Sequence, residues 1–376
     1  ESTAYYPMNI VLISAHYCKS KRKAGFHWLA HEFWNLGHDI TFVTTGISWL
    51  SYLIHDHRLQ YQSLKHEINR LVEVDNRFFS YVYFPLWHPV ALPLPFLERL
   101  AKPLWDKYPE FSLDSSLIKK IQNADIIVYE SMNGLFLFNR LSELNPKSKK
   151  IYRASDDIRT HRSTSLRLIE VEESILDKFD LISVPHKTLI DGKFKNASNA
   201  ILQYHGVATS LFDAPSTSPY KSTPNCVFVG VSLLDETFIE FASEAFPDCT
   251  FTIIGPFTPR IRKRNVVYTG ELPFESTIPY IKHADVGLIT LQRKNEHASS
   301  FSDTLKVHQY RYIGLPIIAP TFIDIHRNNT FYYTPGEQDS IINSLKNALA
   351  TPKDKNSKNE VHDWKTVAKN ILQHVS

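Results

Sequence analysis

Short apolar runs alternate with amphipathic stretches along most of the chain, and this alternation is what most restricts the fold. Asn9–Ala15 (Asn-Ile-Val-Leu-Ile-Ser-Ala) suits a buried strand. From Gly25 to Leu36, the residues Phe26, Leu29, Ala30, Phe33 and Leu36 share one helical face, and Gly37 offers a C-terminal stop. Asp39–Thr44 is the next strand. This β–loop–α–β opening is the start of a doubly wound sheet.

The same pattern predicts strands at Arg77–Phe84, Asp125–Tyr129, Lys149–Ala154, Asp180–Val184 and Ala200–Tyr204, with helices at Gly134–Leu144 and Ser165–Lys178. An irregular insertion rich in Pro, Trp and Leu, Pro85–Glu110, interrupts the series. After His205-Gly206-Val207 the composition changes, and Ala208–Asn225 gathers Ser, Thr and Pro as a linker. A second series follows. Its strands are Cys226–Gly230, Thr250–Gly255, Val266–Thr269, Asp285–Leu291 and Pro316–Ala319. Its helices are Glu236–Phe246, Ser276–His283, Asp303–Ile313 and Gln338–Ala350, with a terminal helix in Asn359–His374. The expectation is an α/β chain of two Rossmann-like domains, 1–206 and 207–355. Residues 356–376 form a C-terminal helix able to pack back on the first domain.

Composition narrows the function. A chain of 376 residues is long enough for two separate cores. A net charge of +3, with 17 His besides, is too mild to argue for nucleic acid. The three cysteines, Cys18, Cys226 and Cys249, are scattered and odd in number, which points to a reducing compartment without a disulfide framework or zinc site. No signal peptide is visible. No run reaches the ~18 uninterrupted apolar residues a spanning helix needs. The most apolar region, Tyr81–Leu97, is broken by Pro85, Pro89, Pro93 and Pro95. A soluble or peripheral protein is expected. Twelve Gly is few for this length, so no glycine-rich phosphate loop is assumed.

Two stretches carry candidate chemistry. Ile151–Asp157 (Ile-Tyr-Arg-Ala-Ser-Asp-Asp) ends a strand in two adjacent carboxylates, at the edge where open α/β sheets bind ligands. A carboxylate there is either a general base or a cap, and position alone leaves both open. In the second half, Asp303 is a good N-cap for a helix that carries Lys306 in its first turn. The amides and partial positive charge of such a terminus can hold a diphosphate. Glu271 is placed to bond vicinal hydroxyls, and Gly230-Val231-Ser232 lets backbone approach a ligand. Taken singly, each of these residues has an ordinary structural use.

Taken in order, they resemble a family. Val267–Leu291 followed by Lys306–Pro316 resembles the donor half of GT-B glycosyltransferases. More narrowly, the chain resembles the xanthan-type, membrane-associated glucuronosyltransferases (GumK-like). The likeness lies at Ser14-Ala15-His16, Tyr152-Arg153-Ala154-Ser155-Asp156, His205-Gly206-Val207, Tyr280-Ile281-Lys282-His283-Ala284 and Tyr333-Thr334-Pro335-Gly336. The resemblance implies a GT-B fold of two Rossmann-like domains facing a cleft. It implies inverting, metal-independent transfer of glucuronate from UDP-glucuronate to a polyprenyl-pyrophosphate-linked oligosaccharide. The setting would be exopolysaccharide or capsule synthesis at the cytoplasmic face of the inner membrane, with no cofactor, no metal and no nucleic acid. By the same resemblance Asp156 is the general base. The UDP pocket draws on Val231, Ser232, Asp235, Glu271, Leu272, Thr304, Leu305, Lys306 and Gln309. Two departures stand out. Leu288-Ile289-Thr290-Leu291 lacks the aromatic residue found there in the relative, and Asp157 stands where the relative has Gly.

The chemistry agrees with that assignment. A sugar hydroxyl is a poor nucleophile and needs a base on the side opposite the leaving diphosphate. Lys306 and helix amides would stabilise the charge gained by UDP. No Asp-X-Asp pair stands at a strand end, where metal-dependent transferases commonly carry one. His16 and His27 are candidates for acceptor contact. Lys19, Lys21, Arg22 and Lys23 suit an anionic membrane surface, at about 1 kcal/mol per basic residue. Trp87, Phe96, Arg99 and Trp105 of the insertion suit an interfacial anchor. Three other readings use the same features: another UDP-sugar donor such as glucose or galacturonate, a non-catalytic GT-B-like binding subunit, and a nucleotide-sugar epimerase.

Overall fold

The computed structural model describes residues 6–293 and 297–375, with backbone alone for 298–300. The chain forms two compact units, Glu1–Gln203 with Lys365–Ser376, and Tyr204–Trp364.

The first unit is built on eight strands: β1 Asn9–Ser14, β2 Asp39–Thr44, β3 Val72–Asp75, β4 Phe78–Val82, β5 Ile126–Glu130, β6 Lys149–Arg153, β7 Leu181–Val184 and β8 Ala200–Leu202. They lie in the order β3-β4-β2-β1-β5-β6-β7-β8. All neighbours are parallel except β3 and β4. Parallel strands covered on both faces read as continuous apolar runs. Ile10, Val11, Leu12 and Ile13 of β1 and Ile126, Ile127, Val128 and Tyr129 of β5 are accordingly buried. Each such aliphatic side chain contributes about 1.5–3 kcal/mol of burial. The strand order reverses between β1 and β5, so ligand space is expected where their C-terminal ends diverge.

Among the described residues the second unit has six strands, all parallel: β9 Asn225–Val229, β10 Thr250–Ile254, β11 Val266–Gly270, β12 Val286–Leu288, β13 Ile317–Pro320 and β14 Thr330–Tyr333. Their order is β11-β10-β9-β12-β13-β14, which places the reversal between β9 and β12. Gly255, just past β10, has φ +147°, and a Cβ there would stand 1.9 Å from the Gly230 carbonyl oxygen. Only glycine lets the ends of β9 and β10 close this far.

Several predicted elements differ in detail. The insertion Pro85–Glu110 is not irregular throughout. It holds the helix Pro95–Asp106, with a proline in its first turn and Pro103 inside it. Prolines that signal loops elsewhere sit here where the helix tolerates them, most simply at its first position. Helices Ser115–Gln122 and Gln62–Glu67 fall between predicted elements. The predicted linker contains the helix Thr209–Asp213 and belongs to the second unit. Asp303 does not cap the following helix. The cap position is Thr304, and the helix is Leu305–Ile313. The terminal helix is Trp364–Gln373, and from Lys365 onward the chain belongs to the first unit. Cys226 and Cys249 are buried thiols on neighbouring strand ends, with sulfurs 3.5 Å apart. Among the described residues no helix is long and apolar enough to cross a membrane.

Candidate functional site

In the first unit, four adjacent strands deliver titratable groups to one edge. His16 follows β1, Glu130 ends β5, Asp156 follows β6 and His186 follows β7. The two carboxylates of the Asp156-Asp157 doublet have different fates. Asp157 is buried and caps the short 3-10 turn Ile158–Thr160, accepting from the Arg159 amide at 3.1 Å. Its two oxygens also grip the Arg159 guanidinium, at 2.8 and 2.6 Å. Of the two roles the sequence leaves open for this doublet, Asp157 takes the cap. Asp156 caps nothing. Its main chain is pinned by Ser131, whose hydroxyl donates to the Asp156 carbonyl at 3.2 Å. Its side chain is 47% exposed, with His161 Nε2 3.6 Å from one oxygen.

Burial pushes the Asp156 carboxyl upward, but the His161 contact and the fields of His161, His186 and His16 outweigh it and hold the group below its ordinary range. Glu130 goes the other way. Burial raises it, against His16 and the Ser14 hydroxyl, and the nearby Asp156 raises it further. The Ser14 hydroxyl donates to Glu130 and accepts from the His16 amide at 2.9 Å. His16 Nε2 stands 3.7 Å from the other Glu130 oxygen, with the ring 43% exposed. Below this edge, the buried Arg153 donates to the Ser183 hydroxyl at 2.6 Å and the Gln203 carbonyl at 2.7 Å.

The loops at this edge are held by buried charges. Arg58 donates to the carbonyls of Ala15, Thr45 and Gly46 while paired with Asp56, which ties the loops after β1 and β2 together. Glu67 accepts from Tyr17, Lys19 and Ser80, which anchors the loop that continues into Lys21, Arg22 and Lys23. His27, expected at the acceptor, is used elsewhere. Its Nδ1 accepts from the Ala24 amide at 3.0 Å and its Nε2 donates to the Tyr17 carbonyl at 2.8 Å. Burial, with the field of His16, lowers its pKa to about 3. No ring nitrogen is left for an acceptor, so His27 is a structural residue and His16 alone of the pair reaches solvent.

In the second unit, the expected donor residues gather at the C-terminal ends of β9, β11 and β12. Gly230, Val231 and Ser232 follow β9, with Val231 and Ser232 exposed. Lys306, in the first turn of Leu305–Ile313, reaches back to β9. A Cβ on Gly230 would lie 3.2 Å from its Nζ. The ammonium also sits over the Phe228 ring, 4.6 Å from its centre. Desolvation lowers its pKa to about 8. The Thr304 hydroxyl at the head of this helix is buried without a hydrogen-bond partner among the described residues, as is that of Thr290 beyond β12. Leu305 and Gln309 are half-buried on the same helix, and Leu272 follows the exposed Glu271 after β11. Asp235 is drawn into the framework. One oxygen caps the helix Glu236–Ala245 through the Phe238 amide, and the other accepts from the Tyr333 hydroxyl at 2.7 Å. Asp303 accepts from Ser302 and lies 4.0 Å from Arg327.

The insertion shows a mixed picture. Phe96, Leu100 and Leu104 recur every four residues along Pro95–Asp106 and are exposed, Leu100 at 73%. Arg99 is exposed beside them. Trp49, Tyr52, Leu53 and Ile54, in and around the short helix Leu50–Leu53, and Leu86 are further exposed apolar side chains of this unit. Trp105 belongs to the core, 4% exposed, and is corrected from a surface contact to a packing residue. Trp87 is half-buried. It stacks edge-on against Phe111 and donates to the Leu104 carbonyl at 3.1 Å, fastening the helix from below.

Glu130, His161 and His186 were not singled out from the sequence. Glu130 carried the same signal as Asp156, an acid at the end of an apolar run. The histidines carried none: His161 is brought to Asp156 by the turn after β6, and His186 approaches only when β6 and β7 lie side by side.

Two parallel α/β units of this topology define the GT-B fold of nucleotide-sugar-dependent glycosyltransferases. HepE of Anabaena, solved with UDP and glucose, superposes with TM-score 0.64 at 12% identity, covering 97% of this chain and 98% of that one. The trehalose-6-phosphate structure from E. coli with UDP-2-fluoro glucose gives 0.61 at 10% identity, covering 97% and 98%. These likenesses concern the fold. Sequence goes further: residues 12–185 match the family described as glucuronosyltransferase GumK, N-terminal domain. The UDP-glucuronate:glycolipid 2-beta-glucuronosyltransferase of Xanthomonas campestris pv. campestris is 28% identical over 346 residues, 91% of this chain and 84% of that protein. The chain therefore resembles the GumK glucuronosyltransferases, in its first unit by the family match and over most of its length by the curated relative.

Proposed function

We propose that this protein transfers glucuronate from UDP-glucuronate to a hydroxyl of a lipid-linked oligosaccharide, with inversion and without a metal ion. The observation that carries the reading is the 28% match to a UDP-glucuronate:glycolipid glucuronosyltransferase, because it spans both the unit with Asp156 and the unit with Lys306. In this reading Asp156 takes the proton of the acceptor hydroxyl. The acceptor oxygen attacks the anomeric carbon from the face away from the diphosphate, and the bond from that carbon to the diphosphate oxygen breaks. UDP leaves with an added negative charge, which Lys306 and the amides heading Leu305–Ile313 stabilise. Half-exposed and ionised, Asp156 suits the role of base. A fixed cation at the diphosphate is the alternative to a divalent ion. The exposed Phe96, Leu100 and Leu104, with Arg99, Lys21 and Arg22, support contact with an acidic membrane surface, where a lipid-linked acceptor resides. We place the enzyme at the cytoplasmic face of the inner membrane, in exopolysaccharide or capsule assembly.

The test is incubation with UDP-glucuronate, UDP-glucose or UDP-galacturonate, bacterial lipid extract and excess chelator. Glucuronate should enter the lipid fraction, in a linkage of anomeric configuration opposite to the donor's. Transfer of another sugar alone would replace the donor assignment. Interconversion of UDP-sugars without lipid product would make the protein an epimerase. Binding without turnover would make it a binding subunit. Dependence on added metal would overturn the metal-free mechanism.

A further inference from the structure

The Asp156-Asp157 doublet contains more organisation than a base and a cap. Asp157 fixes the turn Ile158–Thr160 three times over. It accepts from the Arg159 amide, holds the Arg159 guanidinium, and through its carbonyl accepts from the Thr160 hydroxyl at 2.7 Å. The next residue, His161, closes that turn, its amide donating to the Ile158 carbonyl at 3.3 Å. The turn delivers the His161 ring to Asp156, with Nε2 3.6 Å from Oδ2 and both side chains reaching solvent. The other groups that face Asp156 come from three more strands: Glu130 from β5, His16 from the loop after β1, and His186 from the loop after β7. Of these, His186 is buried and donates from Nε2 to the Ser155 carbonyl at 2.9 Å, and His16 leans on Glu130. Glu130 is the acidic neighbour, and the charge on Asp156 opposes its ionisation.

We propose that His161 is a positioning residue for Asp156, presented by the Asp157-capped turn, and that it keeps the Asp156 carboxylate anionic and aimed as a proton acceptor beside the buried Glu130. The proposal rests on the reading of Asp156 as the base in sugar transfer. As the acceptor oxygen bonds to the anomeric carbon, its proton passes to Asp156, and His161 stays a hydrogen-bonded partner throughout. The doublet is then one device: the second aspartate builds the turn that supports the first. Asp157 also pairs with the Arg159 guanidinium, and His161 is the side chain of this turn that meets Asp156.

Two readouts separate this inference from the function it rests on. The first needs no activity: the carboxyl carbon of Asp156 is titrated by 13C NMR in the full chain, assigned with Asp156→Asn. In His161→Asn the titration midpoint of Asp156 should move upward, and in His161→Arg, which places a fixed positive charge there, it should stay low. The second is the pH profile of transfer. The acid limb of kcat should move upward in His161→Asn, so that the loss is larger at pH 5.5 than at pH 8, with the KM for UDP-glucuronate unchanged. Asp157→Asn should reproduce the shift in weaker form by loosening the turn. An unmoved midpoint in folded His161→Asn overturns the proposal. So does an equal loss of kcat at every pH. Absence of glucuronate transfer by the unaltered protein would count against the function alone, and the NMR midpoint would still decide the pairing.

Discussion

Lys306 is desolvated, and among the described residues no carboxylate pairs with it. Its pKa near 8 leaves it mostly charged at neutral pH but easily discharged above it. In the proposed function a diphosphate supplies the missing counter-charge, so binding would couple to protonation. Below pH 8 the lysine already holds its proton. Above it, binding must take up a proton, and donor affinity should fall as pH rises, which calorimetry from pH 7 to 9.5 can read. Lys306→Ala should weaken UDP binding by about 2 kcal/mol, roughly thirtyfold, and flatten that dependence. Unchanged affinity would remove Lys306 from the diphosphate site. His27 and His88 give a second test at this scale. Burial lowers them to about 3 and about 4. The unfolded chain therefore binds protons that the folded chain refuses. Stability should be full above pH 6.5 and fall as pH drops toward 4, by about 1.4 kcal/mol per pH unit for each histidine. Urea denaturation at pH 7, 6 and 5 measures this slope, and His27→Gln should reduce it. Lys306 was legible in the sequence because its helix and its spacing from Glu271 follow a pattern. His161 and Glu130 were not, since their meaning comes from neighbours 5 and 26 residues from Asp156.

The helix Pro95–Asp106 turns one apolar stripe outward and buries Glu98 and Trp105. Glu98 accepts from the Leu92 amide, and Lys102 pairs with Glu170, so the element is docked firmly while its outer stripe stays bare. Replacing Phe96, Leu100 and Leu104 with Ser should cut co-sedimentation with anionic vesicles and leave thermal stability nearly unchanged, because these side chains give up no core contact. Trp105→Ala should do the opposite, costing about 3–5 kcal/mol of stability. Equal sedimentation of the triple variant would show that this helix is not the anchor. The sequence flagged the segment but not its helix, because Pro85, Pro89, Pro93 and Pro95 read as breakers. A proline at the first helical position costs little, and burial on the inner face supplies the rest. The same blindness to tertiary support explains the error at Asp303. A capping residue type was present there, yet the carboxylate was taken up by Ser302 and Arg327, and Thr304 took the cap position.

At the scale of the molecule, two doubly wound units were legible because buried parallel strands are nearly continuous apolar runs. β2 appeared with its observed bounds, and β1, β6 and β9 within a residue at each end. The strands that escaped notice, β3 and β14, each lie at a sheet edge. β3 is Val-Glu-Val-Asp, with polar side chains facing water, and β14 is four residues long. Edge strands lack the second buried face that makes the others conspicuous. Each unit brings one half of the proposed chemistry: a carboxylate among histidines in the first, a cation at a helix terminus in the second. The division predicts that the two activities separate under mutation. Asp156→Asn, which keeps the shape of the side chain and removes its basicity, should lower transfer of glucuronate by at least about 10²-fold while leaving the Kd for UDP within about twofold of the unaltered protein. Transfer retained by a folded Asp156→Asn variant would contradict the account.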